Sequence, residues 1–227
     1  MNTLAAAVAD EELVRWDWIA SHGDLFRELL GEHIYLAIVP VVWGLVIALP
    51  LGLACVHWPR IYPPVLATTS ILYALPSIAL FVILLDFTGL QPRTVIIPLT
   101  VYTLSVLVPN VVDGLRSVPD HVRQAATAMG FSGPRRLVQV DLPIAVPVIM
   151  AGLRVATVAN ISLVSVGALV GIGGLGELFT DGFQRDFMTP IFVGIVLIIL
   201  LAVTADAILV FLQWLLTPWA RARRSEG

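Results

Sequence analysis

The sequence predicts an all-α, polytopic membrane protein with a core of five transmembrane helices. Three observations carry this. Of the 227 residues, 58% are hydrophobic and 13% are charged, about half of the roughly 25% charged residues in a soluble domain. Long stretches run without charge: 34–56, 61–85 and 94–112 have none, 142–176 carries only Arg154, and 187–220 carries only Asp206. Each is long enough to cross a hydrocarbon layer as a helix. The period-two alternation of a barrel strand is missing, and lipid offers no partner to unpaired backbone groups, so the spans are read as helices.

Taken in order, residues 1–32 form an extracytoplasmic segment. It is not a secretory leader, because Asp10, Glu11 and Glu12 stand where a basic region belongs and no short apolar core follows. Trp16, Trp18, Leu25, Phe26, Leu29 and Leu30 suit an amphipathic helix lying on the membrane; a loosely ordered terminus is the alternative. Spans follow near 33–57, 64–86, 94–115, 143–172 and 190–216. Prolines 40, 50, 76, 98, 109 and 147 lie inside them, where neighbouring helices re-satisfy the freed carbonyls. The glycine run 171–176 ends the fourth helix, and residues 175–187 form a short external helix. Residues 218–227 make a basic tail.

Orientation follows from arginine, since the chain has no lysine. With the loop 116–142 in the cytoplasm, Arg60, Arg116, Arg123, Arg135, Arg136, Arg221, Arg223 and Arg224 share that side. Arg15, Arg27, Arg93 and Arg185 face the other, which obeys the positive-inside rule. Five spans then place the N-terminus outside and the C-terminus inside. The single cysteine, Cys55, allows no internal disulfide. There is no basic stripe for nucleic acid.

The loop 116–142 has readable local physics. Pro119 starts a helix and Gly130 ends it just past the C-cap. Val122, Ala125, Ala126 and Met129 fall at i, i+3, i+4 and i+7, a thin apolar face suited to a groove on a partner. Ser132 and Pro134 open a second helix bearing Arg135 and Arg136, and Leu142-Pro143 returns the chain to the membrane. The alternative is a plain connector.

This loop resembles the cytoplasmic EAA loop of ABC importer permeases, whose pattern is E-A-A-x3-G-x9-I-x-L-P. Gln124-Ala125-Ala126, Gly130 and Val140-Asp141-Leu142-Pro143 occupy its positions. One departure is Gln124, where the family usually has glutamate, so a salt bridge made there is lost. Residues from about 30 to 218 look like the permease subunit of type I ABC importers, with the five-helix core of the methionine-permease kind. Tyr73-Ala74-Leu75-Pro76-Ser77, Leu153-Arg154-Val155-Ala156-Thr157 and Gly171-Ile172-Gly173-Gly174-Leu175-Gly176-Glu177 are most like the glycine betaine, choline, carnitine and proline osmoprotectant branch.

The resemblance implies a transport subunit and not an enzyme. It implies no cofactor on this chain, ATP and magnesium being held by partner ATPase subunits. An extracytoplasmic solute-binding protein delivers solute, and a second permease subunit, identical or homologous, completes the path in the inner membrane of a prokaryote. Consistently, the chain has no G-x4-G-K-[ST] phosphate loop and no zinc motif. Docking onto the ATPase is assigned to Val122, Gln124, Ala125, Ala126, Met129, Gly130, Arg135, Arg136, Leu142 and Pro143, and an outer gate to Gly173, Gly174 and Leu175. For the path, Arg154 and Asp206 are ionisable groups within spans; a structural pair between them, or between Arg154 and Asp113, is the alternative. Asn160 either lines the path or joins helices. Trp43, Tyr73 and Tyr102 offer cation–π faces to a quaternary ammonium, or serve as packing. Two other functions remain: an ABC permease for methionine, phosphonate or an oxyanion, and a stand-alone secondary transporter or channel, which would need ion-coupling sites and often a second repeat.

Overall fold

The computed structural model of the chain describes residues 14–219. Residues 1–13 of the N-terminal segment lie outside it, as does the tail from residue 220, with Arg221, Arg223 and Arg224. The described residues are helical without a strand: α1 Trp16–Ser21, α2 Gly23–His57, α3 Tyr62–Ala74, α4 Ser77–Thr88, α5 Arg93–Arg116, α6 Asp120–Ala128, α7 Gly133–Arg136, α8 Leu142–Gly167, α9 Glu177–Gln184 and α10 Met188–Leu216. Four helical stretches are long and apolar enough to cross a membrane, and five if α3 and α4 count as one crossing.

Three boundaries differ from the sequence reading. The first helix starts at Gly23 and runs 35 residues, about 50 Å at 1.5 Å per residue. Phe26, Leu29, Leu30 and His33 continue the helical stripe into Leu36, Ala37 and Pro40, and no proline interrupts it. Leu29 packs with Leu175 and Leu178, and Trp18, Phe26 and Leu30 join them. The Trp18 ring also meets Phe187 edge-on at 5.4 Å. The amphipathic pattern is real, but within 14–32 most of its apolar face is covered by the chain itself rather than by lipid.

The second span is broken. Leu75 is extended, with ψ 138°, and α3 and α4 meet at 90°. Pro76 has no N–H to continue the ladder and disfavours helical ψ in the residue before it. It caps α4 instead of bending one continuous helix.

The fourth span begins ten residues before Pro143. Helix runs from Gly133 to Val170, 38 residues, with a π-helical turn over Leu137–Asp141 joining α7 to α8. The wide turn sits just before Pro143 withholds its N–H, where π-bulges ease the ladder past a missing donor. Leu142-Pro143 therefore lies inside a helix and does not start one.

Helices α2, α5 and α8 pack together at the centre, α3 and α4 lie on α5, and α10 lies on α8 and α9. The interior has two apolar clusters. One joins Val41, Ala48, Leu107, Val111, Ile149 and Leu153; the other joins Leu36, Phe81, Leu99, Tyr102, Ile161 and Val164. Between them runs a polar seam of buried Thr103, Thr157 and Asn160. Asn160 Nδ2 donates to Thr103 Oγ1 at 2.9 Å, and a Cβ on Gly44 would fall 2.2 Å from the Thr103 methyl. A small residue there lets α2 approach α5 closely, as membrane helices require.

Candidate functional site

Three groups of residues carry chemistry. The first is the loop after α5. Pro119 sits at the N-cap of α6 and Asp120 in its first turn. At the other end Phe131 N–H bonds the Ala126 carbonyl at 3.1 Å and Gly130 N–H bonds Thr127 at 3.0 Å. With Gly130 at φ 82° this is a Schellman stop, satisfying carbonyls that the helix end would orphan. The expectation of positive φ at Gly130 holds.

The apolar face of α6 does not point one way. Ala125 is exposed and Met129 is 70% exposed, whereas Ala126 is 1% exposed and Val122 is half-buried. Ala126 is therefore corrected: it faces α6's own bed and is closed to a partner. Gln124, Gly130 and Arg135 are open, and the Arg135 guanidinium lies 4.7 Å from the Phe131 ring centroid. Leu142 is corrected too, since it packs against the first core cluster, and Pro143 beside it is half-buried.

What holds α6 in place was missed by the sequence reading. Asp141, with its side chain 8% exposed, lies between two guanidiniums. Arg136 Nε donates to Oδ2 at 3.3 Å. Arg123 Nε stands 3.7 Å from Oδ1, an ion pair beyond hydrogen-bond length, while its Nη2 donates to the Leu115 carbonyl at the end of α5. Arg136 thus belongs to this lock more than to an outward docking face. The available signal was that Asp141 is the single carboxylate between Asp120 and Glu177, with Arg123, Arg135 and Arg136 nearby in sequence. Because Asp141 is the last residue before α8, a displacement of α6 is delivered to the base of that helix.

The second group lies within the spans. Arg154 Nε and Nη2 donate to Asp206 Oδ1 and Oδ2 at 2.7 and 2.8 Å. This bidentate pair joins α8 to α10, and it answers which partner Arg154 takes. A charge left alone in a span is costly. Arg154→Ala and Asp206→Ala should each lower the melting temperature of the detergent-solubilised protein. The double variant should lose less than the sum, with a coupling energy of about 1–3 kcal/mol; strict additivity would show the pair to be unimportant. Asn160 joins helices through Thr103, as above. Tyr102 is buried and its hydroxyl donates to the Leu75 carbonyl at 2.7 Å. Tyr73 and Trp43 are exposed on the isolated chain, and the Tyr73 ring meets Tyr102 edge-on at 5.5 Å between centroids.

The third group is the glycine run. Gly171 closes α8 at φ 78°. A Cβ on Gly174 would stand 2.7 Å from His33 N, and Leu175 has no exposed surface. His33 is itself fully buried, its Nε2 2.8 Å from the Ile161 carbonyl. Gly173, Gly174 and Leu175 are thus a packed buttress between α2 and α8 in this conformation. Glu177 begins α9 beside them. Burial, and then the neighbouring Glu32 and Glu28 carboxylates, push it above the usual carboxylate range, partly offset by a hydrogen bond to the Gly173 backbone.

Crossing helices without a strand, a broken span and an arginine-locked loop helix define a multi-pass permease rather than a soluble domain. Residues 36–217 match the family described as "Binding-protein-dependent transport system inner membrane component". The chain belongs to that family and is a transport permease subunit of the inner membrane. It is 31% identical to the choline transport system permease protein OpuBD of Bacillus subtilis, over 91% of this chain and 92% of that one. It is 33% identical to the osmoprotectant import permease protein OsmW of Salmonella typhimurium, over 88% and 96%. A solved structure titled for inward-facing conformations of the MetNI methionine ABC transporter superposes with a TM-score of 0.71 at 25% identity, covering 83% of this chain and 94% of that one.

Proposed function

We propose that this chain is one permease subunit of an ATP-driven importer for quaternary-ammonium osmoprotectants of the glycine betaine, choline and carnitine kind. The observation that carries the coupling half of the reading is the Arg123–Asp141–Arg136 lock, which fixes α6 to the foot of α8 while Gln124, Ala125, Met129, Gly130 and Arg135 stay open to a partner. Support for the solute comes from the relatives named for choline and osmoprotectants.

In this mechanism the ATPase subunits hold ATP and magnesium and grip the open face of α6. Their closing moves α6, and the ion-pair lock passes the motion to α8 and so to the polar seam. The path changes access without any covalent step on this chain. A second permease subunit completes the path, because five spans are too few to enclose it and also carry the docking loop. A solute-binding protein docks at the opposite face, near α9 and the glycine buttress, whose residues Gly173, Gly174 and Leu175 hold the outer gate's position. The arginine asymmetry puts α6 in the cytoplasm and α9 outside.

The test is purification through a tag on this chain, followed by reconstitution in vesicles with the cognate binding protein. The expected result is a co-purified ATPase and ATP-dependent uptake of labelled choline or glycine betaine. ATP-dependent uptake of methionine in their place moves the chain to the other solute class. Uptake of solute without any ATPase overturns the importer reading.

A further inference from the structure

The break between α3 and α4 has a physical problem that the isolated chain does not solve. Ser105 Oγ donates to the Thr69 carbonyl at 3.0 Å and Tyr102 to that of Leu75, so α3 is held to α5 at the break. Thr103, beside Tyr102, is ten residues from Arg93 and thirteen from Arg116 along α5, which is near the middle of a hydrocarbon layer about 30 Å thick. At this depth Tyr73, Ala74, Leu75 and Pro76 are all exposed. The last carbonyls of α3 also lack the N–H donors that a continuing helix would supply, and Pro76 has none to give. Non-helical backbone at membrane depth is tolerated only against protein or in a water-filled cavity. The break therefore does not face lipid.

Three features converge there. The C-terminal end of α3 carries the negative end of the helix dipole. Its unpaired carbonyls are acceptors without a donor. The Tyr73 ring, 51% exposed, is steadied edge-on by Tyr102, which is itself 3% exposed and pinned by its hydroxyl. A negative dipole end, free acceptors and an aromatic face all favour a cation, and a cation unable to donate hydrogen bonds is served best by the ring.

We infer that the α3–α4 break is a mid-membrane contact site for a quaternary ammonium head group, with Tyr73 supplying the cation–π face and Tyr102 positioning it. This rests on the osmoprotectant reading above. Tyr102 acts through Tyr73 and the Leu75 carbonyl and does not itself touch the solute in this arrangement.

The test uses the reconstituted complex, with labelled choline as probe. Tyr73→Leu keeps apolar bulk and removes the π face; Tyr73→Phe keeps the face and removes the hydroxyl. Tyr73→Leu should lower choline uptake about ten-fold at subsaturating concentration, while Tyr73→Phe stays near wild type. Both should co-purify with the ATPase and the second permease as wild type does. Equal choline uptake by wild type and Tyr73→Leu overturns the tyrosine assignment and leaves the importer reading intact. Loss of complex assembly in Tyr73→Leu shows that the break is sealed by protein, and also overturns it. A wild-type complex that moves no quaternary ammonium overturns both.

Discussion

Asp141→Ala is expected to reduce ATP-driven uptake by ten-fold or more while leaving the chain inserted in the membrane. The side chain is 8% exposed and flanked by Arg123 and Arg136, which are themselves only 28% and 32% exposed. Removing the carboxylate leaves two guanidiniums facing each other with nothing between them. Losing one partner of a buried pair costs about 3–5 kcal/mol, and the partial exposure of the arginines lowers that to about 2–3 kcal/mol. α6 would then hang from α5 through the Arg123–Leu115 contact alone. Asp141→Asn keeps the shape without the charge and should fall between the two. The measurement is binding-protein-stimulated ATPase activity and solute uptake in the same vesicles. An Asp141→Ala variant that couples like wild type would show that motion reaches α8 by another route.

Gly130→Val should impair the same coupling through the backbone. No atom lies within 4 Å of a Cβ built on Gly130, yet its φ is 82°. The penalty is therefore conformational rather than steric crowding by neighbours, about 1–2 kcal/mol for an L-residue and more for a β-branched one. Gly130→Asn, which tolerates that conformation, should retain most of the uptake and serves as the control. Ala126→Arg should be the more damaging change, and for a different reason from Gly130→Val: Ala126 is 1% exposed within the chain, so the arginine unseats α6 from its own bed. Limited proteolysis of the loop separates the two. The Ala126 variant should be cut faster than wild type and the Gly130 variant only slightly so. Wild-type uptake in both Gly130→Val and Ala126→Arg would reduce the loop to a connector.

How much of this was legible without coordinates depends on the range of each interaction. The helices, the loop helix and its Gly130 stop follow from local rules, namely span length, the 3.6-residue period, capping chemistry and the missing proline N–H. The sequence also held the motif spacing by which the loop resembles a coupling segment. The broken second span was half legible: Pro76 was recognised inside an apolar run. Whether it bends or breaks the helix depends on whether something else accepts or donates at the gap, here Tyr102 from α5. The continuous 133–170 helix was hidden because Leu142-Pro143 looks like a start when no neighbour is known to bridge it.

By itself, then, the sequence determined that this is a helical membrane protein, where its apolar runs lie, and where a short exposed helix interrupts them. Tertiary structure alone decided the partners. The sequence left Arg154 with two possible carboxylates, and the facing of α8 and α10 selected Asp206. It placed Val122, Ala125, Ala126 and Met129 on one stripe, and the rotation of α6 on its bed turned Ala126 inward and Met129 outward. It showed Asp141 as an unremarked position between two apolar residues, and the fold made it the anchor of the loop. Periodicity fixes which side chains share a helix face; the angle and depth at which helices pack fix what that face meets, and those are set by contacts between residues far apart in the chain.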